Sequence, residues 1–440
     1  MILLKNCSII NDDEIVSRDI LIENDTIVKI ESKIEENLDC EIVDLEHKYV
    51  LPGFIDFNAQ LDDEVNGFKL ADSYDSGTRV ALKNGITTLF SFITQHKNET
   101  LRDAVERVQQ KASGNIWCDV GWHLVPTTFD EPSHVIMAEL IEEGFVSFKL
   151  YTTFRNRGLY SSYSEIEIFA KKYASKQISI LVHCEDDALI TSNMKRARVD
   201  MDNFVKVRSK TVEQTAVSKI LRIARKSRAH FHLVNISTNE AMVVVNRMKY
   251  QNFVSCEISP QYLFLDNSVY SQPNAEQYIC FPPLRDKENN DSLLNGLKNN
   301  YFNIITSNHS PFATSNKSSA DKFSDKSANG FCGLDFLPYL TANIFSREFD
   351  KLKHLQQKLA TEPALVAGIY PEKGTLQPGS IADLIVVDFD QEHLLKGREG
   401  MFNPYKTVTS SLNIRKVMKA GRFVVEDGEL LISSPAGIMI

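Results

Sequence analysis

The chain has 440 residues, 43% hydrophobic and 24% charged, which suits a soluble globular protein with one large core and a smaller module. Its 49 Lys and Arg against 58 Asp and Glu leave a net charge of −9, which argues against a nucleic-acid partner, and no apolar run is long enough to cross a bilayer. Met1-Ile2-Leu3-Leu4-Lys5-Asn6 lacks a signal-peptide pattern, and seven cysteines without paired spacing imply reduced thiols in a cytoplasmic protein.

Residues 1–50 alternate short β-rich runs (Ile2–Leu4, Cys7–Ile10, Ile20–Ile22, Thr26–Ile30, Glu41–Asp44) with the turns Asn11-Asp12-Asp13 and Glu23-Asn24-Asp25. The middle of the chain alternates strand-like and helix-like stretches. Thr87–Phe92 precedes the amphipathic Leu101–Lys111, and Phe145–Leu150 precedes Ser164–Ser175. Ile178–His183 precedes a long polar helical region, His230–Ile236 precedes Glu240–Lys249, and Ile304–Ser307 follows another helix-like stretch. Such alternation over some 300 residues predicts a parallel (β/α)₈ barrel over 51–365. Ser315–Asn329, rich in Ser, Lys and Asp, is expected to be a mobile loop. Ala382–Asp388 reads as a buried strand, and Val417–Val425 followed by Glu426-Asp427-Gly428-Glu429 as a hairpin. Residues 1–50 and 366–440 together should build one small β-sandwich.

Several collinear motifs carry a resemblance. Leu51-Pro52-Gly53-Phe54-Ile55-Asp56 opens the barrel, and Asp72-Ser73-Tyr74-Asp75-Ser76-Gly77-Thr78 follows the first loop. Ser147-Phe148-Lys149, Val182-His183-Cys184-Glu185, Ser259-Pro260-Gln261-Tyr262-Leu263 and Phe281-Pro282-Pro283-Leu284-Arg285 come next. Ser307-Asn308-His309-Ser310-Pro311-Phe312 and Lys373-Gly374-Thr375 to Asp383-Leu384 complete the set. In this order they resemble the cyclic amidohydrolases: dihydropyrimidinase/hydantoinase, allantoinase and dihydroorotase. The Asp72–Thr78 and Asn308–Phe312 stretches lie closer to hydantoinase than to dihydroorotase.

The resemblance implies two divalent metal ions that acidify a bridging water and polarise a ring carbonyl. Their ligands would be a His-x-His pair, a carbamylated lysine, two further histidines and an aspartate that also shuttles protons. In this chain Lys149 and His183 remain, whereas Asn58 and Gln60 stand at the His-x-His positions, Asn235 at the next histidine and Asn308 at the aspartate. Four of six positions are thus neutral amides, poor ligands for zinc, and Asn308 cannot act as a general base. Phe154 replaces the tyrosine of relatives, Phe281 replaces the serine before Pro-Pro-Leu-Arg, and the substrate-binding Asn329-Gly330 is kept.

Neighbouring histidines are expected not to rescue the site. By strand alternation His230, His232 and His309 should face away from Asn235 and Asn308, and Cys184 should face packing. Lys149 is expected as a plain amine paired with Glu185 or a nearby acid. Glu257, Arg285 and Asp286 are expected to brace loops, and Trp117 and Trp122 to lie in the core or an interface. The resulting expectation is a catalytically degenerate relative of dihydropyrimidinase, without a cofactor, acting as a binding or assembly protein. The alternative is an active hydrolase of a hydantoin-, dihydropyrimidine-, dihydroorotate- or allantoin-type ring. It would use one or two divalent metals, such as zinc, with carbamylated Lys149. The resemblance further implies a homo-oligomer, a dimer or tetramer, and a third option is a regulatory or structural partner assembled into mixed oligomers with an active homologue.

Overall fold

The computed structural model describes residues 1–35, 39–196, 201–248, 253–318 and 327–440. Eight parallel strands form the barrel: Phe54–Asp56, Ile86–Thr94, Asp119–Val125, Ser147–Tyr151, Ser179–His183, His230–Val234, Val254–Ile258 and Ile304–Ile305. Neighbours pair in chain order, and the ring closes just beyond the strands, where Ala59 bridges His309. There His309 N donates to Asn58 O (3.2 Å) and Gln60 N to His309 O (2.8 Å).

The helices that follow these strands start at residues suited to the task. Thr100 with Asp103 and Ser162 with Glu165 form reciprocal capping boxes at Leu101–Ala112 and Tyr163–Tyr173, satisfying amides that have no partner within the helix. Along Lys210–Ser227 the buried residues Val212, Ala216, Val217, Ile220 and Ala224 recur at helical spacing and form the face turned to the barrel. Val254–Ile258 has no counterpart among the expected elements, and neither does the strand Asp119–Val125. It carries Asp119, Gly121 and His123, all buried. Gly121 is required by packing, since a Cβ there would lie 2.3 Å from Cε1 of Phe90.

Both chain ends contribute to one nine-stranded sheet. Its order runs Glu429–Leu430, Arg422–Glu426, Asn413–Lys419, Leu384–Asp388, Tyr49–Pro52, Ile2–Asn11, Glu14–Glu23 and Thr26–Glu31, with Glu41–Asp44 also paired to Ile2–Asn11. Leu4, Ile20, Ile22, Ile27, Val50, Leu384, Val386 and Met418 fill its core. Asp119 ties sheet to barrel, accepting from Lys373 Nζ at 2.8 Å and pairing with Lys419 at 2.7 Å. The expected C-terminal hairpin turn forms at Asp427-Gly428, pairing Arg422–Glu426 with Glu429–Leu430, and a further turn at Ala420-Gly421 divides the expected strand Val417–Val425. Of the expected loop Ser315–Asn329, residues 319–326 lie outside the described residues, as do 197–200 of the polar helical region and Lys249 of the expected Glu240–Lys249 helix. No described helix is long and apolar enough to cross a membrane.

Candidate functional site

All nine singled-out residues line one cavity of about 1090 Å³: Asn58, Gln60, Lys149, Phe154, His183, Asn235, Phe281, Asn308 and Asn329. Its place at the C-terminal ends of the strands is where barrels of this type carry their chemistry. Each side chain arrives there for a local reason. Asn58 and Gln60 follow the first strand, two residues apart. Lys149 is the inward residue at the middle of the fourth strand, and His183 ends the fifth. Asn235 and Asn308 follow the sixth and eighth strands with left-handed backbone (φ 55° and 45°), a conformation Asn tolerates better than most residues. Phe154 also has positive φ (65°), and its ring packs on His183 at 5.1 Å and on Phe281 at 5.5 Å. Gly330, at φ 129°, lets the chain pass Ser310, whose Cβ would sit 2.5 Å from a Cβ at 330, and so holds Asn329 at the cavity wall.

The amides bond to one another. Asn58 Nδ2 donates to Glu257 Oε1 (2.6 Å) and lies 3.4 Å from Asn235 Oδ1. Asn235 Nδ2 donates to Asn308 Oδ1 (3.1 Å), and Ser259 Oγ donates to Asn235 Oδ1 (3.1 Å). Lys149 Nζ reaches Asn58 Oδ1 at 3.5 Å, the outer limit of a hydrogen bond, and sits 3.9 Å from the centre of the Phe92 ring. Burial pushes its ammonium down to about 8, with Glu257 opposing.

His183 Nε2 lies 2.9 Å from Glu185 Oε2, and Arg208 Nη1 donates to the same oxygen at 2.7 Å. Burial also lowers the His183 pKa, against the pull of Glu185. In Glu185 burial acts upward, but Arg208 and His183 prevail and hold it at about 2. Lys149 is therefore not paired with Glu185, which is committed to His183 and Arg208. The acid near Lys149 is Glu257, reached through Asn58.

His232 does not turn away from the barrel interior. It faces the barrel interior below the cavity floor, with Nδ1 2.8 Å from Ser255 Oγ, Nε2 3.2 Å from Glu257 Oε2 and its ring edge-on to Phe57. The sixth strand ends at Val234, so alternation does not extend to Asn235, whose left-handed backbone resets its direction. His230 lies on the same inward face, near Ser179 and Ser255. His232 still supplies no cavity ligand, because both ring nitrogens are engaged. His309 does turn away, with Nε2 3.0 Å from Asp72 Oδ2, and Cys184 is packed in the core.

Glu257 is not a loop brace. It is fully buried on the seventh strand and anchors Asn58, His232 and Asn235 N together. Its place just before Ser259-Pro260-Gln261 was the available signal. Arg285 does brace, donating to Arg208 O (2.5 Å) and Ser237 Oγ (3.2 Å), and Asp286 caps Lys287–Lys298. Trp117 and Trp122 are buried in the core. Sequence reasoning also missed Arg157 on the cavity wall, 4.4 Å over the Phe154 ring.

Zinc in such folds is held by imidazole, thiolate or carboxylate. The cavity floor offers one imidazole, one primary amine and four amides, and among the described residues no group of three or more His, Cys, Asp or Glu could hold an ion. This donor set does not fit a metal pair.

The architecture and these motifs have clear relatives. The chain is 28% identical over 402 residues to a D-hydantoinase of Streptomyces coelicolor, covering 88% of this chain and 85% of that one. It is 26% identical over 445 residues to a D-hydantoinase of Geobacillus stearothermophilus, covering 98% and 94%. Among solved structures, a dihydropyrimidinase from Brevibacillus agri superposes with a TM-score of 0.91 at 24% identity, covering 100% of this chain and 98% of that one. A Thermus D-hydantoinase superposes with a TM-score of 0.92 at 23% identity and the same coverage. The profile described as the amidohydrolase family matches residues 49–424, and the chain belongs to that family, among its cyclic amidohydrolases.

Proposed function

We propose that this hydantoinase- and dihydropyrimidinase-like chain does not hydrolyse cyclic amides and serves as a binding or assembly protein. The observation that carries the reading is the hydrogen-bonded set Asn58–Asn235–Asn308 anchored on Glu257, which occupies the floor where charged chelators would be needed. Cleaving an unactivated cyclic amide at neutral pH needs an acidified water and a group that accepts its proton. Asn308 has no titratable group, Phe154 has no hydroxyl to polarise a carbonyl, and Phe281 fills space beside it. Lys149 and His183 remain as polar groups that can hold a ligand.

Seven free cysteines favour a reducing, cytoplasmic setting, and we assign the chain to a homo-oligomer, a dimer or tetramer, or to a mixed assembly with an active homologue. The competing reading is an active hydrolase with an altered or mononuclear centre, and it rests on Lys149 and His183 facing an open cavity. Incubation with hydantoin, dihydrouracil, dihydroorotate and allantoin, with zinc or manganese added, decides between them. The expected result is no turnover above a Lys149→Ala control; metal-dependent turnover lost in that variant would establish the competing reading.

A further inference from the structure

The hydrogen bonds of the cavity floor have a direction. A carboxylate only accepts, so Glu257 obliges Asn58 to present Nδ2, which turns Asn58 Oδ1 toward Lys149. Asn235 Oδ1 accepts from Ser259 and faces Asn58 Nδ2, so its own Nδ2 donates to Asn308 Oδ1. The chain therefore ends in donors: the amide NH₂ of Asn308 and the remaining N–H groups of Lys149, both on the cavity lining.

Charge adds to this polarity. Lys149 is only 4% exposed, and its acid, Glu257, stands behind Asn58 and is engaged by His232 and Asn235 N as well. A buried ammonium without a direct counter-ion is costly, and an anion in the cavity would relieve that cost. The acids of the cavity wall are Asp63, which faces His96 at 3.4 Å, Glu99, which is bonded to Arg107 at 2.8 Å, and Glu64, which is exposed to solvent. Above the floor, Phe154, Phe281 and Tyr151 supply flat apolar wall, with the Arg157 guanidinium stacked on Phe154.

The geometry points to a small aryl carboxylate as the ligand, its carboxylate on Lys149 and Asn308 and its ring against Phe154 and Phe281. This rests on the proposed metal-free floor. It sets the chain apart from a cation site, which donor ends would repel, and from a site for neutral rings, which leave Lys149 without a counter-ion.

Calorimetric titration of chelator-treated protein with phenylacetate and with phenylacetamide, its neutral isostere, tests the assignment. Phenylacetate should bind at least about tenfold more tightly, the size of a charge-assisted hydrogen bond. Lys149→Met should abolish the preference. Asn308→Asp, which sets a second carboxylate beside the first, should weaken phenylacetate alone and keeps the test valid if Lys149→Met misfolds. Equal affinities, a preference that survives both substitutions, or no binding of either compound would overturn the ligand assignment. Binding seen only after zinc is added would instead overturn the metal-free reading beneath it.

Discussion

Replacing Lys149 by methionine tests whether a plain, desolvated ammonium sits in the barrel. Burial lowers the lysine pKa from 10.5 to about 8. The unfolded chain thus holds this proton up to a higher pH than the folded one. Stability rises with pH wherever the unfolded state binds more protons, so the wild type should gain stability between pH 8 and 10.5. Below pH 8 the ionic penalty is fully present. A shift of that size corresponds to about 3 kcal/mol, at 1.36 kcal/mol per unit. Methionine removes the penalty but leaves Asn58 Oδ1 without its donor, a loss of about 1 kcal/mol. The variant should therefore be more stable than wild type by about 2 kcal/mol at pH 7, with the advantage shrinking towards pH 10. Urea unfolding of both proteins at several pH values between 7 and 10 measures the difference, in which other titrating groups cancel. Parallel pH profiles would refute the reasoning, and they are also what a metal-held carbamate on Lys149 would produce.

Three further outcomes are expected. Glu257→Gln exchanges an acceptor-only anchor for an amide and weakens the bonds to Asn58, His232 and Asn235 N; urea unfolding should show a loss of about 1.5–3 kcal/mol. Arg398 clamps Asp72 and Asp335, and although burial raises the Asp72 pKa, Arg398 and His309 hold it well below the usual carboxylate range. That contribution is present above the ordinary Asp value of about 3.9 and is lost as pH falls below it. Unfolding followed from pH 7 down to 3 should therefore show a shallower acid loss in Arg398→Met, from a less stable start. Combining Asn58→His, Gln60→His, Asn235→His and Asn308→Asp rebuilds an imidazole and carboxylate donor set beside Lys149 and His183. Elemental analysis should then find zinc retained through gel filtration.

The barrel and its mouth were legible because five of the eight motifs that carry the resemblance lie on a barrel strand or just beyond its end, and strand ends are where a barrel gathers its side chains. Collinear motifs from Asn58 to Asn329 thus converge on one cavity although they lie up to 271 residues apart in the chain. Side-chain direction was less legible. Alternation holds within a strand, and it failed for His232 because Asn235 lies beyond the strand in left-handed backbone. Partner choice was hidden for a different reason. Glu185 is taken by Arg208, 23 residues onward, and nothing local in the sequence announces that pairing. The strand Asp119–Val125 escaped because Asp, Gly and His interrupt its apolar pattern. The first bonds the terminal sheet, the second admits Phe90, and the third bonds Phe57 O and Ser147.

The central claim is that amides bonded to Glu257 leave no chelating floor in this cavity. Elemental analysis of the 440-residue chain, purified without chelator from cells grown with added zinc or manganese, tests it most directly. The account predicts far less than one tightly held ion per chain; two ions per chain would contradict it.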